Sequence, residues 1–508
     1  MSKSYFNRKT ACESVGQPSY SPAMCRKLFF LSLVGLGIFF ISCIPTSATI
    51  SLLTKNLSNN YGHSLNQKLA QSKGYTYFVW TDTSNSSTDR GQIFFRSSNN
   101  DGKSFSKTVI LSNKTVDANL PDLSANGNDV YVSWEGDYLE DSHIFFRASA
   151  DNGNTFGNIL NISNDIIGST LPNIAIYKNS VYVVWVGSNR TDPNNFEVFI
   201  RTSQDRGKTF GPVIDLSKSA GDSTDPHIFV PTEGGHVYVA YTDCDAIHDD
   251  PLCAIYLTKS SDSGGTFRSP QLISIVPLIN QNLRFLGNSH SPIDSSLLDD
   301  YGIKIHKQIG EHNSVIPIIT SSTDGRDVYI LWQDDLTQTG ATDIFFRKSN
   351  DYGNTFGDSI NLSNTPGISR LPQVVTLGRD VYVVWSDTNM SFSQFDIFFK
   401  KIGDHGTKIG KTINLSNSKG NSAPSDIGIV NDSKTIYVAW TENVGTNKNN
   451  ILIVKSIDAG NAFEKPVKLD TTNSLNPGFI HISYKNNTGL VWTEHGKKNE
   501  DVYFAEID

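Results

Sequence analysis

Nine carboxylates stand just beyond the seven tryptophans and one tyrosine that end a recurring apolar segment: Asp82, Glu135, Asp137, Asp243, Asp334, Asp335, Asp387, Glu442 and Glu494. If those segments are strands of one repeated unit, all nine acids open loops on a single face. There they would recognise cations or hydroxyl-rich ligands, or else serve as solvated turn residues. Asp243, Asp245, Asp249 and Asp250 crowd the short loop bracketed by Cys244 and Cys253. Clustered carboxylates repel unless a cation joins them, and hard oxygen ligands suit Ca2+, although the spacing matches no EF-hand loop.

Four aromatic residues in the same set of loops, Tyr138, Phe196, Phe392 and Phe395, have the shape to stack on sugar rings or to cover the tops of the sheets. Small polar groups, Asp122, Asn173, His227 and Gln373, follow a repeated proline. The long insertion from Val276 to Asn313 brings Arg284, Tyr301 and Glu311, which with Arg370 are the candidate catalytic groups. No glycine-rich phosphate loop, HExxH helix or CxxC pair occurs, so nucleotide-binding and zinc-protease readings have no motif to stand on.

The elements that must position these groups are legible in the repeat. Trp80, Trp134, Trp185, Trp332, Trp385, Trp440 and Trp492 share one register, with Tyr241 in the missing place. A period of about fifty residues marks a chain built from one supersecondary unit that buries its apolar faces only when its neighbours stack on it. The unit from Leu120 to Ser163 supplies four strands: LPDLSA, DVYVSW, HIFFRAS and NILNIS. The first strand recurs at Asn66-Gln67, Leu171-Pro172, Asp225-Pro226, Ile316-Pro317, Leu371-Pro372, Ala423-Pro424 and Asn476-Pro477, which gives eight units.

The fourth strand recurs only seven times downstream. Lys55 to Asn59 resembles the missing copy, so the chain's first strand is expected to complete its last sheet and close a ring. The expected fold is therefore all-β, an eight-bladed β-propeller of four-stranded antiparallel blades occupying residues 49–508; seven blades is the alternative if one unit is misassigned. Segments such as Val381 to Trp385 are apolar on both faces, as sheets sandwiched between neighbours require.

Residues 1–48 read differently. Lys3, Arg8, Lys9, Arg26 and Lys27 precede the uncharged run Leu28 to Ile44, and Thr46-Ser47-Ala48 follows with small residues suited to cleavage. An export signal or an uncleaved membrane anchor is expected, which places the remainder outside the cell or at its surface and makes a disulfide between Cys244 and Cys253 the default. The net charge of −8 makes nucleic acid and anionic membrane surfaces poor partners, leaving the N-terminal segment as the membrane contact. Ten N-x-S/T sequons, among them Asn56, Asn113, Asn189, Asn361 and Asn414, fit an exported chain, although several belong to a recurring strand motif.

The turn between the third and fourth strands carries the most specific signal: Ser149-x-Asp151-x-Gly153-x-Thr155-Phe156, repeated at Ser203 to Phe210, Ser260 to Phe267 and Ser349 to Phe356. It resembles the Asp-box, or BNR repeat, of the sialidase-like propeller superfamily. The resemblance implies that Asp151, Asp205, Asp262, Asp351, Asp404 and Asp458 are structural turn residues on the face opposite the active site. It also implies, for sialidases themselves, three arginines gripping a carboxylate, a Tyr–Glu nucleophile pair and an acid–base Asp. The Arg-Ile-Pro-like motif of that family is echoed here only by Arg370-Leu371-Pro372, in the sixth unit and not the first.

The expectation drawn from these residues is a binding module for a glycan or an extracellular protein partner, acting through the loop face. A sialidase-like glycoside hydrolase and a structural envelope component are the alternatives.

Overall fold

The computed structural model describes residues 54–85, 90–138, 141–244, 253–274, 314–335, 341–388, 394–429, 434–443, 449–469, 476–483, 488–495 and 500–507. The chain divides into Met1–Thr46, which lies outside the described residues, and Ser47–Asp508. Ser47–Asp508 forms eight four-stranded antiparallel sheets arranged as the blades of a propeller. Their inner strands are Ser64–Ser72, Ala118–Asn126, Ile167–Tyr177, Asp222–Phe229, Ser314–Ser321, Ser369–Leu377, Asn421–Ile429 and Asn476–Ser483, and these define blades one to eight.

Blade eight takes its outer strand from the other end of the chain. Lys55 pairs with Phe504 and Asn56 with Tyr503. The Leu57 amide then donates to the Val502 carbonyl at 2.7 Å, and Ser58 both donates to Asp501 and accepts from the Val502 amide. No sheet in the ring is therefore left with an open edge where the chain starts and stops, which removes the usual site of edge-to-edge association.

The second strand of each blade is buried on both faces, as the continuous apolar segments demanded. Val381, Val383 and Trp385 pack toward blade five, while Tyr382 and Val384 pack toward blade seven. Six of the tryptophans sit against an aromatic residue of the third strand, as Trp332 does on Phe345 at 5.8 Å, and Trp440 faces Leu452. At the closing seam, Leu57, Val491, Val502 and Phe504 of blade eight meet Phe78, Trp80 and Phe94 of blade one.

The Ser-x-Asp-x-Gly-x-Thr turn is a closed hydrogen-bond ladder. The Ser149 hydroxyl accepts from the Gly153 amide (2.9 Å) and donates to Asp151 (2.7 Å), whose carboxylate takes the Thr155 amide and hydroxyl at 2.9 and 2.6 Å. Gly153 has φ of 79°, and a Cβ there would stand 2.4 Å from the ring of Phe95 in the preceding blade. The glycine is thus required by both conformation and space. The same ladder forms at Asp205, Asp262 and Asp351; at Asp458, Ala462 supplies only its amide. Asp404 is the exception. Its place is occupied by a tight hairpin that pairs Gly403 with Lys408, and only its carbonyl is used, by Thr407. Isoleucine at 402 removes the serine hydroxyl that organises the other turns.

Arginines at the end of the third strands tie neighbours together at this turn face. Arg96, Arg147, Arg201 and Arg347 each donate to the outer-strand carbonyl of the preceding blade, at Leu57, Leu111, Ile162 and Ile273 respectively. Arg347 also serves the Gly357 and Phe356 carbonyls of its own turn. Replacing Arg347 with Met keeps most of the packing but leaves those carbonyls without their donor. A loss of about 1–3 kcal/mol is expected, read as a lower urea midpoint with an unchanged slope.

Candidate functional site

The face opposite these turns gathers the loops between second and third strands and the connections into the inner strands. Each inner strand enters through a bulge. In blade two the register jumps from Asn119 opposite Glu135 to Asp122 opposite Ser133, and Leu120 between them has φ of 46°. Leu171, Ile316 and Leu371 repeat the positive φ, a conformation that costs a branched side chain about 1–2 kcal/mol. The bulge separates two tiers: one residue at the channel mouth, and one deeper that reaches the next inner strand.

The deeper tier holds one side chain from every blade: Lys68, Asp122, Asn173, His227, Ile318, Gln373, Asp426 and His481. Asp122, Asn173, His227 and Gln373 all stand in this deeper tier, below the mouth. Asp426 and His481 stand two and four residues after Pro424 and Pro477 and not directly after the proline, which places them off the proline-based count. The tier is a belt of bonds between blades: Asp122 accepts from the Ile174 amide (2.8 Å), Asn173 from Ile228 (3.2 Å), and Asp426 from Ile482 (2.9 Å). His227 faces the Ile319 amide with Nδ1, and burial, with Lys68 nearby, pushes its pKa down to about 4, so the ring is neutral.

The loop-face carboxylates divide into two groups. Asp82, Asp334, Asp387, Glu442 and Glu494 are buried. Asp82 accepts from the indole of Trp80 (2.9 Å), the hydroxyl of Ser64 (2.8 Å), the amide side chain of Asn60 (2.7 Å) and the Ser84 backbone (2.9 Å). Asp334 and Asp387 repeat the tryptophan–carboxylate–serine arrangement with Trp332 and Ser314, and with Trp385 and Ser369. Glu494 takes the Trp492 indole. Asp82, Asp334 and Asp387 lock second strand to inner strand. The periodicity that made them conspicuous in the sequence follows from that architectural work. Glu135 and Asp335 are half-buried and Asp137 is exposed.

At the mouth, Glu135 accepts the Thr170 hydroxyl across the seam between blades two and three, and burial raises its pKa, with Asp137 and Asp117 adding to the effect. Arg370 occupies the corresponding inner-strand position of blade six, opposite blade two in a ring of eight. Its guanidinium lies 3.8 Å from the centroid of the Phe395 ring, and its Nε is buried without an acceptor. Phe395 is itself fixed: its amide donates to Asn421 (2.8 Å) and its carbonyl accepts from the Ser422 amide (2.7 Å). Burial lowers the Arg370 pKa, but a guanidinium stays charged. Phe395 was legible only as a loop aromatic; its pairing with Arg370 depends on a contact between inner and third strands that no local pattern reveals. Phe196 is half-buried against Gly168 in blade three, its amide held by Asp222.

Cys244 and Cys253 form the expected disulfide and face each other as paired residues of adjacent strands. Asp243 is half-buried and receives Ser223. Asp245, Asp249, Asp250, Arg284, Tyr301, Glu311, Phe392 and the side chain of Tyr138 lie outside the described residues. Among the described residues no group of three or more His, Cys, Asp or Glu side chains is arranged to hold a metal ion.

No protein-family model matches the chain, and no curated protein matches it. Solved structures similar to it include a protein of unknown function from Dyadobacter fermentans, 13% identical over 82% of this chain and 100% of that one (TM-score 0.42). The polysaccharide lyase Uly1 is 8% identical over 77% and 89% (TM-score 0.46), and the Hadza microbial sialidase Hz136 is 10% identical over 74% and 77% (TM-score 0.36). All three likenesses are distant.

Proposed function

We propose that this chain is an Asp-box propeller, exported or tethered at the cell surface, that binds an acidic glycan at the mouth of its channel. One observation carries the reading. Arg370 is a charged, half-buried guanidinium 3.8 Å from the centroid of the Phe395 ring, with its Nε lacking an acceptor among the described residues. A cation kept in place with no carboxylate partner among the described residues suits the bidentate capture of a ligand carboxylate, and the adjacent ring suits a sugar face. Four complete Ser–Asp–Gly–Thr ladders support the Asp-box assignment. The acids of the Cys244–Cys253 loop are proposed to add Ca2+ binding, which a melting shift on chelation would test.

The test is a glycan array probed with the full chain. Binding should concentrate on carboxylated oligosaccharides, and Arg370→Ala should weaken it at least tenfold, with Arg370→Lys intermediate because a lysine cannot pair in bidentate fashion. Equal binding of neutral and acidic glycans would remove the reading. The glycoside hydrolase alternative is favoured by one feature, the half-buried Glu135 with its raised pKa across the mouth from Arg370. It predicts release of the aglycone from chromogenic acidic glycosides, lost in Glu135→Gln while array binding persists.

A further inference from the structure

The ten N-x-S/T sequons are not equivalent once the chain is folded. Those of Asn389, Asn431 and Asn486 lie outside the described residues. The other seven are sorted by what their side chains already do. Asn56, Asn161, Asn361 and Asn414 each end an outer strand and are half-buried. Each carboxamide oxygen accepts the backbone amide three residues on, at 2.7, 3.0, 2.7 and 2.8 Å respectively. Asn361 and Asn414 also donate through Nδ2 to Asp343 (2.7 Å) and Asp396 (2.8 Å) at the start of the adjacent third strand.

The serines of these sequons are committed as well. Ser363 and Ser416 donate to the same two acids at 2.6 Å and accept the Ile344 and Ile397 amides at 2.9 Å. N-L-S and N-I-S therefore recur because asparagine and serine cap the turn that leaves each outer strand. A sugar on Nδ2 of Asn361 or Asn414 would break the bonds that hold that turn.

Asn113 and Asn189 carry no such duty. Asn113 lies in the connection into the inner strand of blade two, where Asn113, Lys114 and Thr115 are all exposed. Its Oδ1 accepts the amide and the hydroxyl of Thr115 at 3.2 and 3.1 Å, and Nδ2 has no partner among the described residues. Asn189 pairs with Asp192 across a two-residue turn in blade three, and Asn189, Arg190 and Thr191 are exposed. Neither the Asn189 nor the Thr191 side chain bonds to another described residue. Asn85 is exposed too, but its Nδ2 donates to Gln92 at 3.1 Å, and Ser87 of its sequon lies outside the described residues.

We propose that Asn113 and Asn189 carry N-linked glycans and that the four outer-strand sequons stay bare. The inference rests on the export half of the proposed function, because glycosylation of this kind marks surface loops of exported chains. In the transfer, Nδ2 forms a bond to the anomeric carbon of a sugar carried on a lipid diphosphate. The diphosphate leaves with the bonding pair, and one amide proton passes to a base of the transferase. Both asparagines stand on the loop face in the sector of blades one to three, so the glycans frame the mouth from the side of the ring away from Arg370 of blade six.

Glycopeptide mass spectrometry of the full chain recovered from its own cells, with cytoplasm separated from envelope and medium, tests this. Chain outside the cytoplasm should carry sugar on the peptides containing Asn113 and Asn189, and none on those containing Asn56, Asn161, Asn361 or Asn414. Thr115→Ala and Thr191→Ala should each remove one glycan from the intact mass, whereas Asn361→Gln should leave that mass free of any glycan loss. Bare Asn113 and Asn189 on exported chain would overturn the proposal while leaving the export reading intact, and sugar on Asn361 or Asn414 would overturn it equally. Chain confined to the cytoplasm would remove the export reading and this inference with it. The map of the unsubstituted protein stands even if a substituted chain fails to fold.

Discussion

A chain shortened to begin at Gly62 should lose on the order of 4 kcal/mol or more of stability and gain a tendency to associate. Deleting the segment strips blade eight of its outer strand and uncovers Val502 and Phe504. It also removes Leu57, which is fully buried, and the carbonyl to which Arg96 donates at 2.8 Å. Leu57→Ala alone should cost about 2–4 kcal/mol, because the cavity lies between two packed sheets that cannot collapse into it. Tyr61 provides the control. It is fully exposed three residues before the inner strand of blade one, and Tyr61→Ser should change the urea midpoint by less than about 0.5 kcal/mol. Size-exclusion elution will show whether the open edge of blade eight recruits another chain. If the shortened chain melts like the full one, closure through the N-terminal strand is not what holds the ring.

Asp82→Ala should be nearly as damaging, at about 3–5 kcal/mol. The substitution leaves the Trp80 indole, the Ser64 hydroxyl, the Asn60 amide and the Ser84 backbone without their shared acceptor, inside a site closed to water. Asp82→Asn should cost less, since an amide oxygen can still accept from the indole and the serine. Asp137→Ala, on the same face but exposed, should leave the midpoint unchanged. That contrast, measured by denaturant unfolding, separates acids that build the blade from acids open to a ligand. Equal effects at Asp82 and Asp137 would remove the distinction.

Much of the architecture could be read from the chain because each blade repeats it. The tryptophan register, the strand supplied by Lys55 to Asn59 and the arginines at the turn face all recur, and a feature seen several times outweighs local ambiguity. The site was harder to read for the same reason. Asp82, Asp334 and Asp387 recur because Trp80, Trp332 and Trp385 need acceptors, so periodicity drew attention to structural acids. The residue that breaks the pattern, Arg370, occurs once, and its meaning lies in a contact with Phe395 that only the folded ring creates. Asp426 and His481 were hidden because Pro424 and Pro477 stand two and four residues before them, where blades two to six place the proline directly before the belt residue.

A binding cycle at the channel mouth tests the central claim most directly. The full chain and Arg370→Ala are each titrated with an acidic oligosaccharide and with its methyl ester at fixed salt. The unsubstituted protein should prefer the free acid by at least tenfold, about 1.4 kcal/mol, and Arg370→Ala should bind acid and ester alike. A preference that survives intact in Arg370→Ala would contradict the claim that this guanidinium receives the ligand.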